Sequence, residues 1–219
     1  MKDLLPEPAY DAIREHLSQR AREAAAGWEG GSDEEDTLTG DLGATLRTDW
    51  SQLPPADGYL WRWRVRYKKF RGRGQGAFEK TSGADGILQI EITRGSEKHF
   101  KGVLFQAKKV GRLNGDLASQ LERMEQLAPG GSAVIEYGPT TYRAAPGKDY
   151  LQGHATSHEQ RDAGFRPLSE FLGDSFLPCA SGLRGMYYDA VRELLVLPSG
   201  VAHHISVRHR ITVETERIS

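Results

Sequence analysis

From Pro8 to Trp28 the chain is rich in Ala and Arg, with Ile13 and Leu17 four apart, a spacing that predicts an amphipathic surface helix closed by Gly27. The run Glu29–Asp33 then breaks the pattern. Ser32 and Glu35, three apart, have capping-box spacing and open a second helical stretch from Asp33 to Trp50, weakened by Gly40 and Gly43. Its buried stripe is Leu38, Leu42 and Leu46. At about 100° per residue, Glu35 falls within about 20° of the stripe's centre, Glu34 lies to one side and Asp36 points away. Glu35 therefore faces inward, either to complete the cap or to reach a functional site.

A period of two takes over after Pro54–Gly58. Trp61, Trp63, Val65 and Tyr67 alternate with Arg62, Arg64, Arg66 and Lys68, which predicts a strand with one buried and one wet face. Lys69, Arg71 and Arg73 carry the cations into a Gly-rich turn. This row suits phosphate gripping, and a charged edge strand guarded against aggregation is the plainer alternative. Two antiparallel strands follow, Ile87–Thr93 and Phe100–Val110, then a helix Gly115–Ala128 and a short strand Ser132–Gly138. The pattern next predicts a loop from Pro139 to Tyr150, short helices at Phe165–Pro178 and Gly182–Pro198, and a final strand on which Ile205, Val207, Ile211 and Val213 alternate.

With 219 residues, 38% hydrophobic and 27% charged, the chain is long enough for one sizeable core. A formal net charge of -1 argues against a globally basic nucleic-acid coat, so affinity for phosphate has to come from a local patch. There is no leader-like apolar run near Met1 and no stretch of eighteen apolar residues, and Cys179 is the single cysteine. These features lead to the expectation of a cytoplasmic protein without a membrane span.

The candidate chemistry lies in Val103–Lys109. Gln106 and Lys108 are two apart on a strand and so share a face at its end. Asp85 sits in the turn that opens the preceding strand, and pairing the two strands can bring a carboxylate, an amide oxygen and an ammonium together. Carboxylate and amide oxygens suit a hard cation such as Mg²⁺, and a lysine beside it can orient a water.

Gly83-Ala84-Asp85-Gly86, a hydrophobic strand, then Phe105-Gln106-Ala107-Lys108-Lys109 resembles the core of the PD-(D/E)xK nuclease superfamily, in the Gln-x-Lys form of Mrr-like restriction enzymes and bacterial anti-phage effector nucleases. The resemblance covers roughly Ser32 to Tyr137. It implies an α/β, restriction-endonuclease-like fold: a mixed central sheet flanked by helices, one domain with a C-terminal extension. The corresponding division is an N-terminal helix (1–31), a nuclease core (32–150) and an extension (151–219) packed on that core for dimerisation or partner binding. It also implies catalytic roles for Glu35, Asp85, Gln106 and Lys108, with Mg²⁺ or Mn²⁺ held by Asp85, Gln106 and Glu35. Arg62, Arg64, Arg66, Lys68, Lys69, Arg71 and Arg73 would grip DNA, with RNA left open as substrate. A homodimer would meet the need to cut both strands, a regulatory partner protein is the other expected association, and restraint of the activity is left among a partner protein, a nucleotide signal and activation on assembly. Gln106 departs from the acidic form of the motif and leaves the site one negative charge short.

Other constellations are weaker. Glu79 and Glu91 are candidate extra ligands but read as surface acids, and Gln120, on the helix after the Gln-x-Lys strand, either approaches the site or DNA or, the better reading, belongs to a solvated helix face. His154, His158, Cys179, His203, His204 and His209 lack a Cys-x-x-Cys anchor for zinc, and His209 shares the apolar parity of a core residue. A metal-dependent endonuclease therefore stands against a non-catalytic nucleic-acid-binding or scaffolding subunit and against a plain α/β binding domain. Asp85, Gln106 and Lys108 separate the first two, because an inactive relative tends to lose one of them.

Overall fold

The alternation around Trp61 forms a strand, β2 (Tyr59–Lys69), with Trp61, Trp63 and Val65 buried on one face. The helix before it, α2 (Glu35–Leu46), buries Leu38, Leu42 and Leu46 as their spacing requires. It ends earlier than its apolar pattern suggests, because β1 (Thr48–Ala56) begins two residues later and pairs with β2. Asp57 and Gly58, both at positive φ, make the tight turn between them. The computed structural model describes residues 1–28, 34–70, 82–112, 115–154 and 164–218. Ser32, Arg71, Arg73, Glu79 and His158 lie outside those residues.

Helix α1 (Glu7–Ala26) lays Ile13, Leu17 and Ala21 against α2 and the sheet. Strands β3 (Gly86–Arg94) and β4 (Glu97–Lys109) form the expected antiparallel hairpin. After α3 (Gly115–Leu127), β5 (Ser132–Tyr137) returns parallel to β4. The last strand, β12 (His209–Ile218), runs between β2 and β3, antiparallel to the first and parallel to the second. It is built into the centre of the sheet and is not appended to it.

The result is a single α/β domain around a mixed sheet with both faces covered. One face packs Leu88, Ile90, Ile211 and Val213 under α1 and α2. On the other, Leu117, Leu121 and Met124 of α3 meet Ile87, Leu104 and Val134. No helix among the described residues is long and apolar enough to cross a membrane.

Further segments depart from their sequence reading. Pro139–Tyr150 holds a strand, β6 (Tyr142–Pro146), and the start of a helix, α4 (Gly147–His154). Its strand pairs with β5, and the small side chains of Ala144 and Ala145 leave no alternation to read. The segment Gly182–Pro198 is not a helix. It contains β8 (Leu183–Arg184), β9 (Tyr187–Asp189) and β10 (Leu194–Val196), the last two joined by a loop in which Glu193 has φ 55°. Good helix formers in that loop imitate a helical pattern, but Val191 is 95% exposed while Tyr188 and Leu195 pair across strands and are buried. By contrast, the short helix expected within Phe165–Pro178 is present, after the two-residue strand β7 (Arg166–Pro167), as a turn at Leu168–Glu170 that widens into a π-helix, Phe171–Phe176. Ile205 and Val207 lie between β11 (Ala202–His204) and β12 and pack under the second face, so the four apolar residues of this segment do not share one strand.

Lys101 of β4 is 0% exposed. Its ammonium bonds the Phe176 carbonyl and lies 4.3 Å from the centre of the Phe176 ring. Burial lowers its pKa to about 8 from the ordinary 10.5. Between those two values the unfolded chain keeps a proton that the folded chain has lost, so this residue's contribution to stability improves as pH rises through that window. Lys101→Met removes the penalty and should compare best with the natural chain below pH 8. Thermal unfolding at pH 7 and at pH 9.5 checks this, with the Tm difference expected to move against the variant at the higher pH.

Candidate active site

Four elements meet at one end of the sheet: the first turn of α2, the C-terminal end of β4, and the N-terminal ends of β3 and β12. They enclose a pocket of about 80 Å³, with α3 closing one side through Gln120. Glu35, Asp85, Gln106 and Lys108, drawn from three stretches of sequence, all line it.

Asp85 is held by its main chain and its side chain. Its N–H donates to the Phe105 carbonyl (2.9 Å), and its carbonyl accepts from the N–H groups of Arg208 (2.8 Å) and His209 (3.1 Å). Carboxylate Oδ2 accepts from the Ala107 N–H at 2.9 Å and from Gln106 Nε2 at 2.6 Å. The flanking glycines permit this approach. Gly83 has φ 73°, and a side chain there would come within 2.7 Å of the Gln120 carbonyl. A Cβ at Gly86 would fall 2.3 Å from the Phe105 ring and 2.7 Å from the His209 carbonyl, so the turn closes only with hydrogen at both positions.

Glu35 faces inward, as its helical angle predicts. Glu34 takes the N-cap position, and Glu35 reaches across to accept the Lys109 N–H at 3.1 Å, with Lys108 Nζ 3.7 Å from its other oxygen. Gln106 is 3% exposed, and its Oε1 is buried without a hydrogen-bond partner. Gln120, partly buried on α3, lines the same pocket and likewise has a buried and unpartnered Oε1, the reading its sequence position made second choice. An orphaned buried acceptor costs about 1–3 kcal/mol, and two of them on one pocket mark a place built for something that donates or coordinates.

Asp36 does not point away. Its Oδ1 lies 2.9 Å from His209 Nε2, and its Oδ2 accepts from Lys69 Nζ at 2.5 Å. Burial pushes the Asp36 carboxyl up, but the bonds from Lys69 and His209 outweigh it and leave the group below its ordinary value. His209, 1% exposed, is shifted down by burial, with Asp36 opposing. Its Nδ1 is 2.9 Å from the Tyr67 hydroxyl, and burial raises that phenol to about 12, so the phenol keeps its proton. Tyr67 donates to Nδ1, and Nε2–H donates to Asp36. The core histidine expected from sequence is therefore also a wall of the pocket.

Tyr67 occupies its place because α2 has glycine beneath it. A Cβ at Gly43 would lie 2.2 Å from Tyr67 Cδ2, and one at Gly40 3.5 Å from the hydroxyl. The glycines that weaken the helix on propensity are the seat of the ring.

The arginine row is elsewhere. Arg62, Arg64 and Arg66 project from the face of β2 opposite Trp61 and Trp63, where Arg62 pairs with Glu216 at 2.5 Å, and Arg64 and Arg66 pair with Glu214 at 2.6 and 3.0 Å. The cationic row is matched by acids of β12 that lie directly across the ladder. Lys68 stands over the Phe70 ring at 5.0 Å, and Lys69 reaches the pocket's edge through Asp36. Glu91 bonds Lys98 at 2.6 Å, outside the pocket. Among the described residues, no three His, Cys, Asp or Glu side chains gather closely enough to hold a metal by themselves. A cation at this pocket would need amide oxygens and water beside Asp85 and Glu35.

Comparison with protein families, curated proteins and solved structures returns no match.

Gly43→Ala isolates the seat of Tyr67. Helix propensity alone would favour the change by roughly 1 kcal/mol, whereas overpacking costs about 1–3 kcal/mol. The expected outcome is a lower Tm than the natural chain, read by calorimetry, and Tyr67→Leu in the same background should recover part of the loss.

Proposed function

We propose that this chain is a Mg²⁺-dependent endonuclease, with Mn²⁺ as a substitute, that hydrolyses phosphodiester bonds of DNA as the nuclease component of a bacterial anti-phage or restriction system. The observation that carries the reading is the convergence of Glu35, Asp85, Gln106 and Lys108 on one pocket with Gln106 Oε1 buried and unpartnered. The donor set fits a hard cation: two carboxylates and an amide oxygen, with Gln120 supplying a second amide oxygen directly or through water. When bound, such an ion polarises the scissile phosphate and lowers the pKa of a water.

The chain's own residues do the rest. Asp85 is fixed by the Ala107 N–H and the β12 backbone, so its carboxylate needs little reorganisation to act as a ligand. Gln106 steadies Asp85 through Nε2, which leaves its buried Oε1 without a partner and open to a ligand role. Lys108, half-buried beside Glu35, orients the attacking water and offsets charge gathering on the phosphate. Its ammonium is partly neutralised by Glu35 until substrate enters.

Phosphate gripping is assigned first to Lys69, Lys108 and Arg208 because they stand at or beside the pocket, whereas Arg62, Arg64 and Arg66 project from the opposite face of the sheet, where they pair with Glu214 and Glu216. A homodimer or a regulatory partner, cytoplasmic like the enzyme, would supply the restraint such an activity needs.

Purified protein should nick plasmid DNA with Mg²⁺ and leave it intact with EDTA. Lys108→Ala and Asp85→Ala should each lower the rate by about 10²-fold or more, since each removes a group aimed at developing charge or at its ligand. Retardation of DNA by all three proteins without cleavage by any would instead favour a binding subunit.

A further inference from the structure

His209 touches two of the pocket's three acids, Asp85 and Asp36, through different atoms. Its backbone N–H donates to the Asp85 carbonyl at 3.1 Å, and its ring Nε2 lies 2.9 Å from Oδ1 of Asp36, the residue after Glu35. The ring is also stacked on Tyr67, with centroids 6.0 Å apart and planes at 14°, and receives the Tyr67 hydroxyl on Nδ1. Both nitrogens are committed, and the side chain is 1% exposed. A group so enclosed is badly placed to exchange protons with a substrate and well placed to hold others still.

The first turn of α2 needs holding. Glu35 and Asp36 sit on the first turn of α2, where helices fray and where the N-cap residue, Glu34, makes no side-chain capping bond. Without a cap, the first turn has to be fixed from outside. The Asp36–His209 bond does this from the central strand β12, whose own register on β3 is set beside Asp85 by the pair His209 and Gly86.

We propose that His209 is a positioning residue: through its Nε2–H bond to Asp36 it pins the first turn of α2 to β12, and so holds Glu35 at a fixed distance from Asp85. The consequence for chemistry rests on the nuclease reading above. The clamp itself is a property of the folded chain. His209 here acts through Asp36 and Glu35, and no proton of the reaction passes through it. Lys69 supports the same carboxylate from β2, and Gly43 keeps Tyr67 where it fixes the ring.

The two amide residues separate the ring's nitrogens. In His209→Gln the side-chain amide reaches the place of Nε2–H and can still donate to Asp36. In His209→Asn it reaches only the place of Nδ1. We would measure amide hydrogen exchange by NMR on the metal-free chain at the Lys109 N–H, which bonds Glu35, together with Mn²⁺ binding by electron paramagnetic resonance and cleavage against Mn²⁺ concentration. Asp36→Leu breaks the same clamp from the helix side and serves if either histidine variant fails to fold.

The expected result is Lys109 exchange at least tenfold faster in His209→Asn and Asp36→Leu, and within about threefold of the natural chain in His209→Gln. Mn²⁺ binding should weaken at least tenfold in the first two, and the Mn²⁺ midpoint for cleavage should rise by the same factor. Equal exchange at Lys109 in the natural chain, His209→Asn and Asp36→Leu overturns the clamp. A natural chain that neither binds Mn²⁺ nor cuts, but whose Lys109 exchange responds as expected, leaves the clamp standing and removes the nuclease reading.

Discussion

The pairing of β12 with β3 is the interaction on which the rest of the site depends. It places the backbone N–H groups of Arg208 and His209 on the Asp85 carbonyl, and it delivers the His209 ring to α2. The same strand lines Glu214 and Glu216 against the arginines of β2. One strand thus settles the stance of the acids on one side of the sheet and the charge balance on the other. Its position also explains why the buried apolar set of β2 can face α1 and α2 over its whole length: β2 has a neighbour on both sides.

Charge in this molecule is managed by partners, not by distance. Arg62, Arg64 and Arg66 form a row that, taken alone, looks like a surface for a polyanion. Across the ladder each meets a carboxylate, and Arg62 and Arg64 also lie 4.4 and 4.3 Å from the Trp50 ring. Partly exposed pairs of this kind add little stability, commonly below about 1 kcal/mol each. Their larger effect is to cancel the field that an unpaired row of cations would set up over that face of the sheet.

Much of the fold was legible because its periodicities are local. Leu38, Leu42 and Leu46 spell a helix, Trp61, Trp63 and Val65 spell a strand, and Asp85, Gln106 and Lys108 fall close together once two neighbouring strands form a hairpin. The inward angle of Glu35 was readable from helical geometry alone. What escaped is non-local. The acids facing the arginines stand about 150 positions away. The role of Asp36 depends on which strand lies beside β2, and nothing in the sequence around Asp36 states that. Gly40 and Gly43 could be recognised as helix-weakening, but the ring they admit comes from another element. For Gln120 the less favoured of its two readings is the one found, because a half-buried position on α3 does not state which neighbouring strand its side chain meets. The Gly182–Pro198 error has a different origin, since helix formers crowd a loop whose flanking strands are only three residues long.

The central place of β12 also bears on how the molecule comes into being. Its neighbours β2 and β3 are made long before it, and until it arrives each has an open edge with unpaired N–H and C=O groups facing the gap. The hairpin β3–β4 can form early, from nearby residues, but closing that gap joins positions separated by most of the chain, a slow event with a high entropic cost. A ribosome-bound chain that has not yet released His209 holds Asp85, Gln106 and Lys108 without the strand that braces them. The pocket is closed only once β12 is in place, so a chain cut before Arg208 lacks one of its walls as a matter of topology.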